Sequence, residues 1–239
     1  MTAYDRGIVV AGDRVFRPPP PRAEFVHELL GYFAEAEWPH APRYLGSDPQ
    51  GREILSHIPG FAGSELTEEV RSPAALAAVA RLVREFHDLT AGHPLAGSGE
   101  VVCHNDLSPK NTIYRAAVPV ALIDWDLAAP GRRIHDVAHL CWQYGDPGPD
   151  AGVPVVAQRM RVICDAYGVA AANRAELIDP RELIDTVLWW QDRCRRGIED
   201  DPALAHLRAA GVPERIRAAH RWVTDNRDPL AHELAHDNR

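Results

Sequence analysis

The chain has 239 residues, enough for one large domain or two lobes whose core needs no disulfide support. Lys and Arg number 26 against 34 Asp and Glu, a formal net charge of −8; this argues against nucleic acid as the default partner and is compatible with a cationic substrate. Cys103, Cys141, Cys164 and Cys194 form no C-x-x-C pair and read as thiols in a reducing compartment. The first six residues lack the basic-then-apolar pattern of a leader, and no apolar run reaches spanning length. The expected localisation is therefore cytoplasmic, with no membrane partner.

In chain order, Ile8-Val9-Val10 and Arg14-Val15-Phe16-Arg17 predict a hairpin turning at Gly12-Asp13, stopped by the prolines from Pro18 to Pro21. A helix is predicted over Ala23 to Glu35, with Phe25, Val26, Leu29, Leu30 and Phe33 at helical spacing. Gly51 to Ser56 reads as a strand, and Ile58-Pro59-Gly60-Phe61-Ala62-Gly63 has the composition of a hinge. Ser72-Pro73 starts the next helix with an N-cap and a proline at the first helical position; its stripe runs Leu76, Val79, Leu82, Val83, Phe86. Beyond two short strands near 101 and 121, helices are expected at His135–Tyr144, Val155–Tyr167, Pro180–Arg196 and Pro213–Asp225.

The chemistry concentrates between positions 101 and 126. Val101-Val102-Cys103 leads into His104-Asn105-Asp106-Leu107-Ser108-Pro109-Lys110-Asn111, and Ala121-Leu122-Ile123 leads into Asp124-Trp125-Asp126. This pattern puts a proton acceptor (Asp106), an amide (Asn111) and a metal-seeking carboxylate (Asp124) at the ends of two short strands joined by a tight connection. Phosphoryl transfer needs these parts: a carboxylate to orient the attacking hydroxyl and receive its proton, and hard oxygen ligands to hold Mg²⁺ against phosphates. Asp126 suits metal, substrate or a structural hydrogen bond equally. Lys110 is the only lysine in the chain, so any role that normally needs a lysine elsewhere must be filled by arginine or abandoned.

These segments resemble the aminoglycoside phosphotransferase and choline kinase group, relatives of the protein kinases. The family's H-x-D-x-x-x-x-N is matched by His104, Asp106 and Asn111, and its apolar-I-D-[WF]-[DE] by Leu122 to Asp126. A Gly-containing loop before D-[LVI]-A is matched by Gly131 and Asp136-Val137-Ala138, and a helix ending in L-H is echoed by Phe86-His87. The resemblance covers residues 50 to 145.

It implies an α+β, protein-kinase-like two-lobed fold, with a truncated nucleotide-binding lobe and hinge over residues 1–60. A helical lobe over 61–239 would carry the catalytic loop (101–111), the metal motif (121–126) and the substrate helices. It further implies an ATP- or GTP-dependent kinase of a small-molecule hydroxyl, such as that of an aminoglycoside or another amino-bearing compound. Asp106 would be the catalytic base, Asn111 and Asp124 the Mg²⁺ ligands, and Asp136 a brace. His104 would be structural, and Ser56, His57 and Ile58 would offer backbone groups to the nucleotide base.

The front lobe departs from the family pattern. It has no G-x-G-x-x-G and no strand lysine, which leaves Arg17 as the candidate cation for the phosphates. The family would pair it with a glutamate on the following helix, where Val26 or His27 stands here while Glu24 and Glu28 lie nearby. Two rival readings follow. One is a nucleotide-binding pseudoenzyme of the same fold, with weak or no catalysis. The other is a metal-dependent hydrolase using His135 and His139, which share a helix face but lack the glutamate of the zincin motif. Asp185, Asp192 and the run Glu199-Asp200-Asp201 are secondary candidates for engaging substrate amines.

Overall fold

The computed structural model describes residues 7–63, 67–169 and 179–235. The leader reading rests on residues 1–6 and lies outside them. Among the described residues no helix is long and apolar enough to cross a membrane. The chain divides into two compact units, one of Met1–Val70 with Glu85–Arg132, the other of Arg71–Arg84 with Arg133–Arg239.

In the first unit, β1 (Val9–Ala11) and β2 (Arg14–Arg17) form the expected hairpin, and α1 (Ala23–Glu35) follows it. Two further strands, β3 (Tyr44–Ser47) and β4 (Glu53–Ser56), complete an antiparallel sheet in the order β1-β2-β4-β3. Its register places Arg17 opposite Glu53. Helix α1 buries Val26, Leu29, Leu30 and Phe33, a stripe at helical spacing. Phe33 meets Trp38 (centroids 4.9 Å apart) and Trp125 (5.0 Å), and Phe86 meets Trp125 at 5.1 Å. One aromatic core therefore joins α1 to the second motif.

The motif strands differ from expectation. β6 (Val101–Cys103) pairs with β9 (Ala129–Gly131), while β8 (Val118–Leu122) pairs with β7 (Thr112–Arg115) through a two-residue turn at Ala116-Ala117. The glycine segment read as a hinge contains β5 (Phe61–Ala62), which pairs with β7. Gly60 has φ +149°, and a Cβ there would lie 2.5 Å from Ile113 Cγ2 and 2.7 Å from Tyr114 O. Its glycine is required by this close approach. The expected boundary at residue 60 does not coincide with the compact units. The β7–β8 hairpin is bonded to the front of the chain, through Leu122 N–H donating to His40 O (2.8 Å) and His40 Nδ1 meeting Val120 O (2.7 Å).

Helix α2 (Pro73–Thr90) begins in the second unit, with Ser72 Oγ accepting from Ala75 N–H at 3.3 Å, and its last residues belong to the first. The second unit is helical: α3 (Arg133–Gly145), α4 (Val153–Cys164), α5 (Pro180–Asp200), α6 (Ala205–Ala209), α7 (Val212–Asp225) and α8 (Arg227–Ala235). Helix α5 buries Leu183, Ile184, Val187 and Trp190 and packs on α3 and α7. The Trp190 indole donates to His135 O at 2.7 Å.

Tyr167, just past α4, accepts from Arg133 Nη1 at 3.1 Å. Burial pushes its phenol from 10.0 up to about 12, against the opposing pull of Arg133. The unfolded chain releases this proton first, so the contribution to stability is complete below pH 10 and lost as pH rises through about 12. Tyr167→Phe should therefore flatten the alkaline fall in unfolding free energy by about 2–3 kcal/mol, measured by urea titration across that window. An unchanged slope would refute this.

Candidate active site

His104 is fully buried and joins the two motifs. Its Nδ1 accepts from Asp106 N–H at 3.3 Å, so the neutral ring carries its proton on Nε2, which faces Ile123 O at 3.1 Å. Asn105 and Asp124 both adopt left-handed backbone, with φ of 63° and 65°. Asn and Asp are the residues that tolerate this region best after glycine, and such backbone is held in place only where its surroundings over-determine it. Here the restraints are Asn105 Nδ2 donating to Leu127 O (3.0 Å) and the buried Trp125 indole donating to Leu122 O (3.0 Å).

Asn111 closes the loop. Its Nδ2 donates to Asp106 O at 2.8 Å and to Asp106 Oδ2 at 2.7 Å, and its own backbone O accepts from Ile123 N–H at 2.9 Å. Asp106, Asn111 and the segment entering Asp124 are thus laced together within one compact unit. Lys110 Nζ lies 3.6 Å from Asp106 Oδ2. Asn111 orients the carboxylate with its amide nitrogen, which turns the amide oxygen to the other side.

Arg17 is the electrostatic centre of the site. Its Nε donates to Glu53 Oε1 (2.5 Å), Nη1 to Asp124 Oδ1 (3.2 Å) and Nη2 to Asp126 Oδ1 (2.5 Å). Burial alone would depress the guanidinium, but Asp126 and Glu53 outweigh it and hold it above its ordinary value. Burial and then the neighbouring Asp124 push the Asp126 carboxyl up, against the pull of Arg17. The partner of Arg17 is thus on strand β4, where a helical glutamate was expected. Helix α1 supplies His27, whose Nε2 meets Glu53 Oε2 at 2.7 Å. Sequence reasoning missed Glu53, and the one available signal was a glutamate sharing a strand face with the buried Leu55.

Ser56 and His57 follow Glu53, and their N–H groups are spent within the chain, on Arg43 O (2.9 Å) and Asp13 O (2.7 Å) respectively. The histidines of α3 are packing residues. His135 stacks on Trp189 at 5.5 Å, and His139 is buried against Trp190 (4.8 Å) and Trp142 (5.5 Å). Asp185 pairs with Arg227, Asp192 with Arg195 and Arg196, and Glu199 with Arg195 and Arg217. Asp201 caps the turn at Ala203.

The donor set fits a hard divalent cation. Asp124 and Asp126 are adjacent carboxylates with side chains 32% and 26% exposed, and the amide oxygen of Asn111 is the same class of ligand. With Glu53, the two aspartates make three carboxylates on one guanidinium, Arg17, a formal deficit that a divalent ion balances.

The architecture is α+β and protein-kinase-like. Residues 96–172 match the model of the APH family, described as the phosphotransferase enzyme family, the same group that the motifs resemble. The trifolitoxin immunity protein of Rhizobium leguminosarum bv. trifolii is 29% identical over 192 residues, covering 70% of this chain and 72% of that protein. Among solved structures, aminoglycoside phosphotransferase APH(3'')-Id from Streptomyces rimosus, in complex with ADP and streptomycin, superposes with a TM-score of 0.53 and 16% identity, covering 77% of this chain and 94% of that one. A choline/ethanolamine kinase family protein from Mesorhizobium loti gives 0.53 and 16%, covering 97% and 85%. At these identities the structural likeness establishes the fold.

Proposed function

We propose that the chain is a phosphotransferase that moves the terminal phosphoryl group of ATP or GTP to a hydroxyl of a small molecule. What supports this reading is the Asp106 carboxylate held by Asn111, whose backbone O accepts from Ile123 N–H just before Asp124, with Asp124 and Asp126 both on Arg17. Asn111 and Lys110 engage Oδ2 of Asp106, which leaves Oδ1 to accept the hydrogen of the incoming hydroxyl and orient its oxygen. Asp124 and the Asn111 oxygen would hold Mg²⁺, with Asp126 beside them; the ion, when bound, supplies charge neutralisation across the phosphate oxygens. Arg17 commits three of its five N–H donors within the chain, and the remaining two serve a phosphate oxygen. For the nucleotide base, Ser56 to Ile58 contribute their carbonyls and the Ile58 N–H.

In this reading residues 1–60 serve the nucleotide and the helices of 61–239 serve the acceptor. The net charge of −8 supports an amino-bearing acceptor. Aminoglycosides and ethanolamine-like amines enter the test because the structural relatives are named for them, and trifolitoxin because the sequence relative is. The assay is nucleoside diphosphate release with Mg²⁺-ATP or Mg²⁺-GTP across that panel, against an Asp106→Ala control. Release above the control with at least one acceptor is expected. Nucleotide binding with no release for any acceptor would favour a second reading, a nucleotide-binding protein without turnover. Arg17, standing in for a lysine and already engaged by three carboxylates, is the observation behind that alternative.

A further inference from the structure

We infer that Glu53, fastened by His27, is the positioning residue that aims Arg17 at the phosphate and cation site; the inference rests on the phosphotransferase reading above. Both oxygens of the Glu53 carboxylate are taken, by different elements. Oε1 accepts from Arg17 Nε on β2, and Oε2 meets His27 Nε2 on α1. An ionised carboxylate can only accept, so His27 carries its proton on Nε2.

The Glu53 side chain is 1% exposed, and a carboxylate at that depth persists only when its lone pairs are matched. The His27 ring is itself fixed, stacked on Tyr44 of β3 with centroids 3.6 Å apart and planes 12° from parallel. A guanidinium is a rigid planar fork, so holding Nε sets the direction of Nη1 and Nη2. Those two nitrogens reach Asp124 and Asp126.

The chain therefore builds its ion pair across two paired strands, from residues directly opposite in register. Helix α1 reaches that pair through His27. Glu53 touches Arg17 and His27 touches Glu53, and both act on the nucleotide through the direction of Arg17.

The test is a thermodynamic cycle on Mg²⁺-nucleotide binding by calorimetry, using wild type, Glu53→Gln, Arg17→Met and the double variant. Glu53→Gln should weaken binding about tenfold, a cost of about 1.4 kcal/mol. In the Arg17→Met background it should cost nothing further. In turnover assays the nucleotide KM should rise while the acceptor KM stays. His27→Phe should move binding in the same direction as Glu53→Gln, and His27→Gln, which keeps a donor toward Glu53, should restore it. The His27 pair carries the test if Glu53→Gln fails to fold.

Binding by Glu53→Gln within twofold of wild type, or losses that multiply in the double variant, overturns the inference while leaving the phosphotransferase reading intact. If wild type binds neither ATP nor GTP, that reading fails and this one falls with it.

Discussion

Asp106→Ala should lower turnover by about 10³-fold or more while nucleotide affinity stays within about threefold. The carboxylate proposed as proton acceptor is oriented by a neighbouring side-chain amide, Nδ2 of Asn111 at 2.7 Å. Removing it leaves Asn111 a second acceptor, the backbone O of Asp106 at 2.8 Å, so the loop keeps one of its two fastenings. The Asp106 side chain is 27% exposed, and the fold should lose little stability, about 1 kcal/mol or less. Asp106→Asn should be nearly as inactive, because it preserves shape and removes the basic oxygen. The measurements are steady-state kinetics with an identified acceptor and calorimetric nucleotide titration. Turnover within tenfold of wild type would remove Asp106 from the proposed role.

Asp124→Asn should abolish tight divalent-cation binding in the presence of nucleotide and reduce turnover by about 10²–10³-fold. In the proposed role its carboxylate shares a hard cation with Asn111, and an amide lowers the ligand charge that such ions require. Asparagine is the proper substitution, since the residue sits at φ 65°, where Asn is tolerated and Ala strained. Two effects then separate. Arg17 exchanges one of its three carboxylate partners for a neutral amide oxygen and keeps Glu53 and Asp126, so the front sheet should remain assembled. Manganese binding followed by electron paramagnetic resonance reads the metal directly, with no dependence on turnover. Retention of Mn²⁺ affinity within threefold in Asp124→Asn would sink the assignment.

Much of this arrangement was legible in the residues, for identifiable reasons. Helix α1 and helix α2 carry apolar stripes at 3.6-residue spacing, and α2 has a clear start at Ser72-Pro73, so α1 and the start of α2 lie where the residues predict them. The motif segments were visible because Asp106, Asn111 and Asp124 lie close along the chain.

What was missed depended on pairing. Strand β7 was not foreseen because its turn is Ala116-Ala117, both at positive φ (47° and 62°), where a hairpin normally advertises itself with Asn or Gly. Strand β3 is short and interrupted, its register shifting between Tyr44 and Gly46. Gly60 and Gly63 read as looseness, whereas each is small because another strand or loop approaches it closely. Glu53 was invisible as a partner because nothing local reveals that β2 and β4 are neighbours and that Arg17 falls opposite it.

The solitary ammonium at Lys110 has a practical consequence. Because every other basic side chain is Arg or His, an acylating reagent finds one side-chain amine, and that amine sits 3.6 Å from Asp106. A fluorophore or isotopic tag attached there would report from beside Asp106, and protection of that position by a bound compound would register occupancy without any turnover assay.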